Sequence, residues 1–421
     1  MPGLSRTDVL VVGAGPTGLL AALQLAQRGV GVALIEEEWR SAGHSYALAL
    51  HPRSLARLAE VGLADEAIAA GQRLEKVVLF EGTEPRARLG LAGSGARFPF
   101  VLVLPQNALE QLLSRRLEAK GVPVHWSHRL ARLEPSAQGV VASVQRLEKQ
   151  STGYAVAHTE WAVAETFEVD ASFVIGADGH RSLVRRALGL AFDEAAASQV
   201  FAVLECDASG TPADELRIVV DAGTTSALWP LPGGRARWSL ELDAPEVAAA
   251  ERFKSRLATQ LGERFFHHLH EAATSALLRR RAPWFSPEPQ DLRWSIEVRF
   301  ERRLAAQFGR ERVWLAGDAA HLTGPAGMQS MNAGLDEASD LAARLERIRR
   351  GDGDVELLEE YGRERASAWR FLLGREGRLR PGPATPAFVA KNAERLLSCL
   401  PATGEELAAL AAEVGLAVDR S

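Results

Sequence analysis

Hydrophobic positions follow two alternating rhythms along the chain. Asp8–Val12 is a short valine-rich run of the kind buried in a parallel sheet. Leu19–Arg28 repeats its apolar positions at helical spacing up to Gly29, and Val30–Ile35 is a second buried run. This order predicts a strand–helix–strand unit. His51–Glu60 and Asn107–Lys120 predict amphipathic helices closed by Gly62 and Gly121. Lys76–Leu104 alternates apolar and polar residues around Gly90, Gly93 and Gly95, which predicts antiparallel strands. Val122–Val174 and Phe201–Leu242 continue the β-rich pattern, the second turning at Pro232-Gly233-Gly234. Helical spacing returns over Ala244–Arg280, and Pro283–Pro289 reads as a connection. Val313–Ala316 is another short buried strand, followed by a glycine-rich loop and a helix over Ala333–Arg344. From Asp354 onward the pattern is helical, broken at Pro381-Gly382-Pro383.

At 421 residues the chain exceeds the roughly 100–200 residues of one ordinary domain, so two or three are expected. Its 47% hydrophobic and 24% charged residues are globular proportions and exclude a disordered chain. A net charge of −5 gives no general attraction to nucleic acid. Two cysteines, Cys206 and Cys399, cannot build a disulfide framework or a zinc site. His267, His268 and His270 have no carboxylate at ligand spacing, so no metal is expected. The opening shows no export leader, and apolar stretches stop short of the roughly 18 residues a membrane helix needs. A cytoplasmic protein without a transmembrane segment is the expectation.

Gly13-Ala14-Gly15-Pro16-Thr17-Gly18 is a GxGxxG run set between the first strand and its helix. Gly13 permits the tight turn, Gly15 lets the backbone approach a pyrophosphate, and Gly18 lets helix pack on strand. The helix N-terminus presents unbonded N–H groups to the anion. Glu36 ends the second strand, where a carboxylate accepts hydrogen bonds from ribose hydroxyls. The motif leaves NAD and FAD both open. Two later turns bear on the choice: Val174-Ile175-Gly176-Ala177-Asp178-Gly179 and Val313-Trp314-Leu315-Ala316-Gly317-Asp318 each place an aspartate at the C-terminal end of a strand, where α/β sheets bind ligands.

With all three elements in this order, the chain resembles the class A flavoprotein aromatic hydroxylases, FAD-dependent monooxygenases with the para-hydroxybenzoate hydroxylase fold. Gly176–Gly189 matches their Asp-Gly segment, including Ser182, Val184, Arg185 and Gly189. Gly317–His321 with Pro325, Asn332 and Gly334 matches their ribityl-binding loop, and Pro105-Gln106 a glutamine that contacts FAD. The resemblance runs over residues 6 to 345. It implies an α/β fold: a FAD-binding Rossmann-type (GR2-like) domain over 1–73, 100–187 and 291–345, an inserted β-sheet substrate domain over 74–99 and 188–290, and a C-terminal helical segment over 346–421. With the sequence ending at Ser421, the additional thioredoxin-like domain that longer relatives carry is not expected.

The resemblance also implies roles. Gly13, Gly15, Thr17 and Gly18 would hold the FAD pyrophosphate, Glu36 the adenosine ribose, and Gln106 and Leu130 the outer cofactor. Gly317 and Asp318 would bind the ribityl chain, and Asp178 would serve the pyrophosphate region and the passing nicotinamide. The N–H groups of Met331 and Asn332 would meet negative charge on the reduced ring. Pro325 and Ser330 would line the site, Ser330 standing where relatives carry glycine. Tyr46 replaces an arginine that relatives place beside the phosphates, and Arg53 is the nearest basic substitute. His321 reads as a structural hydrogen-bonding residue. Trp229, Trp238, Trp284 and Trp294 fall in or beside the substrate domain.

The implied reaction has NADPH or NADH reduce FAD, after which O₂ forms a flavin C4a-hydroperoxide that oxygenates an aromatic or olefinic small molecule, plausibly in secondary metabolism. No side chain need act as a nucleophile. A reductase or desaturase of the same fold and a non-catalytic flavin-dependent binding protein are the alternatives. A flavin-dependent halogenase would require a WxWxIP segment that the chain lacks. A plain NAD-linked dehydrogenase leaves the Asp178 and Asp318 segments unexplained.

Overall fold

The computed structural model describes residues 4–40, 47–152, 158–208, 211–221, 223–252, 254–261, 264–269, 271–285 and 294–420. Strand Arg6–Val12 is the centre of the first sheet. It pairs in parallel with Val32–Ile35 on one side and with the distant strand His158–Gly176 on the other. Val313–Leu315 pairs in parallel with Val174–Gly176 on the far flank of that strand. The middle strands are buried on both faces, as their continuous apolar runs require: Val9, Leu10, Val11, Val174 and Ile175 are all within 1% of fully buried. Helix Pro16–Gln27 starts directly after the first strand, with Gly15 as N-cap and Pro16 in its first turn, where the missing proline N–H costs no helix bond.

Among the described residues the second sheet has ten strands. Lys76–Glu81 and Glu84–Gly90 form the hairpin expected from their alternation, and Lys76–Glu81 then runs parallel to Glu215–Asp221. Thr224–Leu231, Arg235–Glu241, Phe192–Asp207 and Trp294–Ala305 complete its middle. Trp294–Ala305, assigned from sequence to the cofactor-binding part, is therefore a strand of this second sheet. Side chains alternate: Trp238 and Leu240 join a core with Leu278 and Ala282 of helix Glu271–Arg281 on one face, while Ala227, Trp229 and Leu231 join the main core. Trp284 stacks on Phe80 with ring centroids 4.8 Å apart.

Two stretches differ from the pattern-based reading. Within Ala244–Arg280 the helix stops at Arg252, and Lys254–Leu261 and Arg264–Leu269 form an antiparallel hairpin. This hairpin extends the sheet through His268↔Ile296, a pairing with a partner remote in sequence that local spacing does not report. The helix expected at Ala333–Arg344 runs from Gln329 to Arg350. Beyond it, helices Glu356–Leu372, Ala387–Cys399 and Gly404–Ala412 carry the C-terminal segment, clasped by paired strands Arg378–Pro381 and Leu416–Asp419. Among the described residues no helix is long and apolar enough to cross a membrane.

Candidate cofactor site

The glycine turn is built by contact. Gly13 has φ +103°, and a Cβ there would stand 2.3 Å from the Ala177 carbonyl oxygen. At Gly18 a Cβ would meet the Gly13 carbonyl oxygen at 1.9 Å. Both positions are closed by backbone, and only glycine fits. Gly15 differs: its φ of −70° suits any residue, and an added Cβ would meet no protein atom within 4 Å. Neither conformation nor packing requires glycine there. What remains is room in the groove that Gly15 lines, which fits the pyrophosphate of a dinucleotide approaching the helix end.

That groove has a volume of about 820 Å³ and is lined by Gly13, Gly15, Glu36, Gln106, Leu130 and Asp178 among others. Six of the sequence-chosen positions, far apart in the chain, thus share one cavity. Glu36 is fixed at its base: its Oε2 accepts the Ala14 N–H at 2.6 Å and its Oε1 the Glu38 N–H at 2.9 Å. Burial pushes its carboxyl above the ordinary value, and those two N–H groups pull it partly back. Gln106 opens helix Gln106–Ala119 and donates to Glu110 at 2.7 Å.

Asp178 lines the groove, but its carboxylate is engaged. Ser182 Oγ donates to Oδ1 at 2.5 Å, and the Leu183 and Val184 N–H groups donate to Oδ2 at 2.7 and 3.1 Å. Burial still raises its pKa despite these donors. Its work is to hold the short helix Leu183–Ala187. From that helix Arg185 reaches across, donating to the Ala319 and His180 carbonyls at 2.7 and 2.9 Å. Arg185 so ties the Asp178 turn to the Asp318 turn, a link that no local pattern announced.

Gly317, Asp318, Ser330, Met331 and Asn332 form a second cluster. Gly317 has φ +64°, and its N–H donates to Glu337 Oε2 at 2.8 Å. Thr17 belongs to the joint between the clusters: a Cβ on Gly317 or Gly334 would come within 2.7 or 2.6 Å of its Oγ1. Asp318 is exposed. Ser330 Oγ donates to Asp318 Oδ1 at 2.7 Å and stands 3.4 Å from His321 Nδ1. His321 is fully buried, donates through Nε2 to Glu337 at 2.9 Å and stacks on Trp369 at 3.7 Å. Trp369 Nε1 donates to the other Glu337 oxygen at 2.9 Å. Nothing local marks Glu337 or Trp369; their partners sit up to 48 residues away, the span from His321 to Trp369.

Other expectations shift. Ser330, standing where relatives carry glycine, is helical, and the residue with left-handed backbone is Met328, with φ +52° as N-cap of helix Gln329–Arg350. Because the helix starts early, Met331 has no intrahelical acceptor for its N–H, whereas Asn332 stands where the N-cap carbonyl serves. The Asn332 side chain is a buried staple instead. Its Oδ1 accepts the His51 N–H and Ser54 Oγ, both at 2.7 Å, and its Nδ2 donates to the Ala49 and Met328 carbonyls at 2.9 and 2.7 Å. Pro325 is buried, in a loop pinned by His51 Nε2 donating to the Gly327 carbonyl at 2.9 Å. Arg53 does not reach the groove; its Nε donates to Asp336 at 2.8 Å. Tyr46 lies outside the described residues.

Known proteins share both the sequence and the fold. Residues 6–373 match the model of a family described as FAD binding domain. The chain is 30% identical to pentachlorophenol 4-monooxygenase of Sphingobium chlorophenolicum over 88% of its own length and 64% of that protein's. It is 31% identical to 6-methylpretetramide 4-monooxygenase of Streptomyces rimosus over 88% and 61% respectively. It thus spans somewhat less than two thirds of these curated relatives. The structure of p-nitrophenol 4-monooxygenase from Pseudomonas putida superposes with a TM-score of 0.71 at 25% identity, covering 87% of this chain and 86% of that one. Aklavinone-11 hydroxylase, solved with FAD and aklavinone, shares the fold with a TM-score of 0.69 at 24% identity over 93% and 70%.

Proposed function

Because the chain belongs to the FAD-binding-domain family that includes the class A flavin-dependent aromatic monooxygenases, we propose that it is itself an FAD-dependent, NAD(P)H-consuming monooxygenase acting on an aromatic or olefinic small molecule. One oxygen atom of O₂ enters the substrate and the other leaves as water, with two electrons from the nicotinamide. The observation that carries the reading is Gly15: a glycine whose backbone and neighbours do not require it, facing a groove that also holds Glu36, Gln106 and Asp178.

When bound and reduced, the flavin supplies the oxygen-activating chemistry, and the chain supplies position and electrostatics. Gly13, Gly15 and Gly18 bring the helix N-terminus to the pyrophosphate, and Glu36 receives the ribose hydroxyls. Asp318 accepts from the ribityl chain. The N–H groups of Gln329, Ser330 and Met331, in the first turn of helix Gln329–Arg350, present positive potential to the ring edge that becomes negative on reduction. The second sheet, whose Trp229 face packs into the main core, bounds the substrate side. Arg181 and Arg186 line the groove beside Asp178 and are the cations placed for nicotinamide phosphates, a role Arg53 does not take.

The test is turnover with a panel of phenols and polycyclic aromatics. Denatured protein should release FAD, and an active substrate should stimulate NAD(P)H oxidation with matching O₂ uptake and gain one ¹⁸O from ¹⁸O₂. NAD(P)H consumption without O₂ uptake would replace this reading with a reductase. Flavin retention without turnover on any substrate would favour a binding protein.

A further inference from the structure

We propose that Ser330 is a positioning residue whose hydroxyl, held between Asp318 and His321, sets the orientation and charge of the Asp318 carboxylate toward the ribityl side of FAD and so biases the protein toward the reduced cofactor. The inference rests on the FAD reading above. It starts from a hydroxyl with one proton and two acceptors within reach.

The Glu337 carboxylate accepts three N–H groups, from Gly317, His321 Nε2 and Trp369. His321 therefore donates through Nε2 and turns its Nδ1 edge toward Ser330. The two contacts of Ser330 are unequal: 2.7 Å to Asp318 Oδ1 and 3.4 Å to His321 Nδ1. The shorter one is an ordinary O–H···O⁻ bond, and the longer one lies beyond good O–H···N range. The Ser330 proton belongs to Asp318. With Oδ1 committed, Oδ2 is the oxygen left for a ribityl hydroxyl.

The backing of this pair is rigid. His321 is fully buried, stacked on Trp369 and anchored to Glu337, itself 1% exposed. Glu337 also holds the N–H of Gly317, the residue before Asp318. Asp318 is thus fixed from both sides, by its own backbone turn and by Ser330. A residue without a hydroxyl at position 330 would leave the Asp318 carboxylate rotating and undiminished in charge. Reduction adds negative charge to the flavin, and an unmoderated carboxylate nearby opposes the reduced form more than the oxidised one.

The experiment measures FAD affinity by fluorescence and the flavin midpoint potential by spectroelectrochemistry for wild type, Ser330→Ala, Ser330→Thr, Asp318→Ala and the Ser330→Ala/Asp318→Ala double variant. Ser330→Ala should weaken the reduced cofactor about three- to tenfold more than the oxidised one, which lowers the midpoint by about 15–30 mV for a two-electron couple. Ser330→Thr, which keeps the hydroxyl, should stay near wild type. In the Asp318→Ala background, Ser330→Ala should change nothing further. Equal weakening of both redox states, or an effect that persists without Asp318, would overturn the proposal while leaving the FAD reading standing. A wild type that takes up no FAD, or an Asp318→Ala variant that holds it unchanged, would overturn the cofactor placement and the proposal with it.

Discussion

Arg53 Nε stands 2.8 Å from Asp336 Oδ1, and this ion pair fastens helix Pro52–Glu60 to helix Gln329–Arg350. Asp336 also receives Arg57 at 2.7 Å and Arg365 at 3.2 Å. Burial alone would raise its carboxyl, but Arg53 and the other two guanidinium groups outweigh it and hold the pKa below the ordinary 3.8. A depressed carboxyl gives stability that is complete above its unfolded value and is lost as pH falls through the folded one.

The first prediction concerns Arg53→Ala. Two cations remain on Asp336, and Arg53 is a third exposed, so the loss should be about 0.5–1 kcal/mol in thermal unfolding at pH 7. The KM for NAD(P)H should stay within about twofold, given the affinity scale of a lost phosphate contact. A large rise in KM with unchanged stability would return Arg53 to the phosphate channel.

Glu406 gives the opposite pH dependence. Burial pushes its carboxyl up to about 7, with the Arg53 backbone and charge pulling it partly back, and its Oε2 has no hydrogen-bond partner. A raised carboxyl pKa means the folded state binds the extra proton, so stability falls as pH rises from about 4.5 toward 7. Glu406→Gln should raise stability by about 1–2 kcal/mol at pH 8, after discounting for its partial exposure, and by little at pH 4.5. Equal stabilisation at both pH values would mean the carboxylate is not strained.

Gly15→Ala and Gly18→Ala should separate binding from folding. At Gly18 the new methyl meets backbone at 1.9 Å, and the apoprotein should lose about 2–4 kcal/mol or fail to fold. At Gly15 the methyl enters open space, so apoprotein unfolding should move by less than about 1 kcal/mol. FAD affinity should nevertheless drop by about tenfold or more, since the methyl occupies the approach to the pyrophosphate. Unchanged FAD affinity for Gly15→Ala would place the dinucleotide elsewhere.

Glu36→Ala removes the acceptor for the Ala14 and Glu38 N–H groups together with the proposed ribose contact. FAD affinity measured by equilibrium dialysis should fall by about 10- to 100-fold, the scale of one to three kcal/mol for buried polar groups left unpaired. Affinity for riboflavin, which lacks the adenosine, should change far less. Parallel losses for both ligands would show that Glu36 acts by shaping the turn alone.

The sequence made the local parts of the site readable wherever chemistry and short-range geometry coincide. Gly13–Gly18 and Glu36 sit within one strand–helix–strand unit, and their spacing carries the turn, the helix start and the ribose acid together. Glu337 and Trp369 stayed hidden, as did the reach of Arg185, because they act on backbone and side chains brought close only by the fold: Arg185 reaches a carbonyl 134 residues away. Arg53 misled for the same reason, its partner being 283 residues downstream. At the loop before helix Gln329–Arg350, the sequence located the departure from glycine but not which residue bears the left-handed backbone. A helix starting three residues before Asn332 moves the strain to Met328 and leaves Ser330 helical.

The order in which strands sit side by side also governs how the molecule comes into being. Arg6–Val12 is made long before one of its two neighbours, Asp170–Gly176, and that strand's other flank waits for Val313–Leu315. Lys76–Phe80 likewise waits for Glu215–Val219. Such remote pairings make for slow, late closure and leave apolar edges open during synthesis. The turn carrying Asp318 follows the last of these strands directly. With Asp318 in its proposed place on the ribityl chain, cofactor capture is expected among the final events of assembly, and FAD supply during expression should govern how much chain survives in native form.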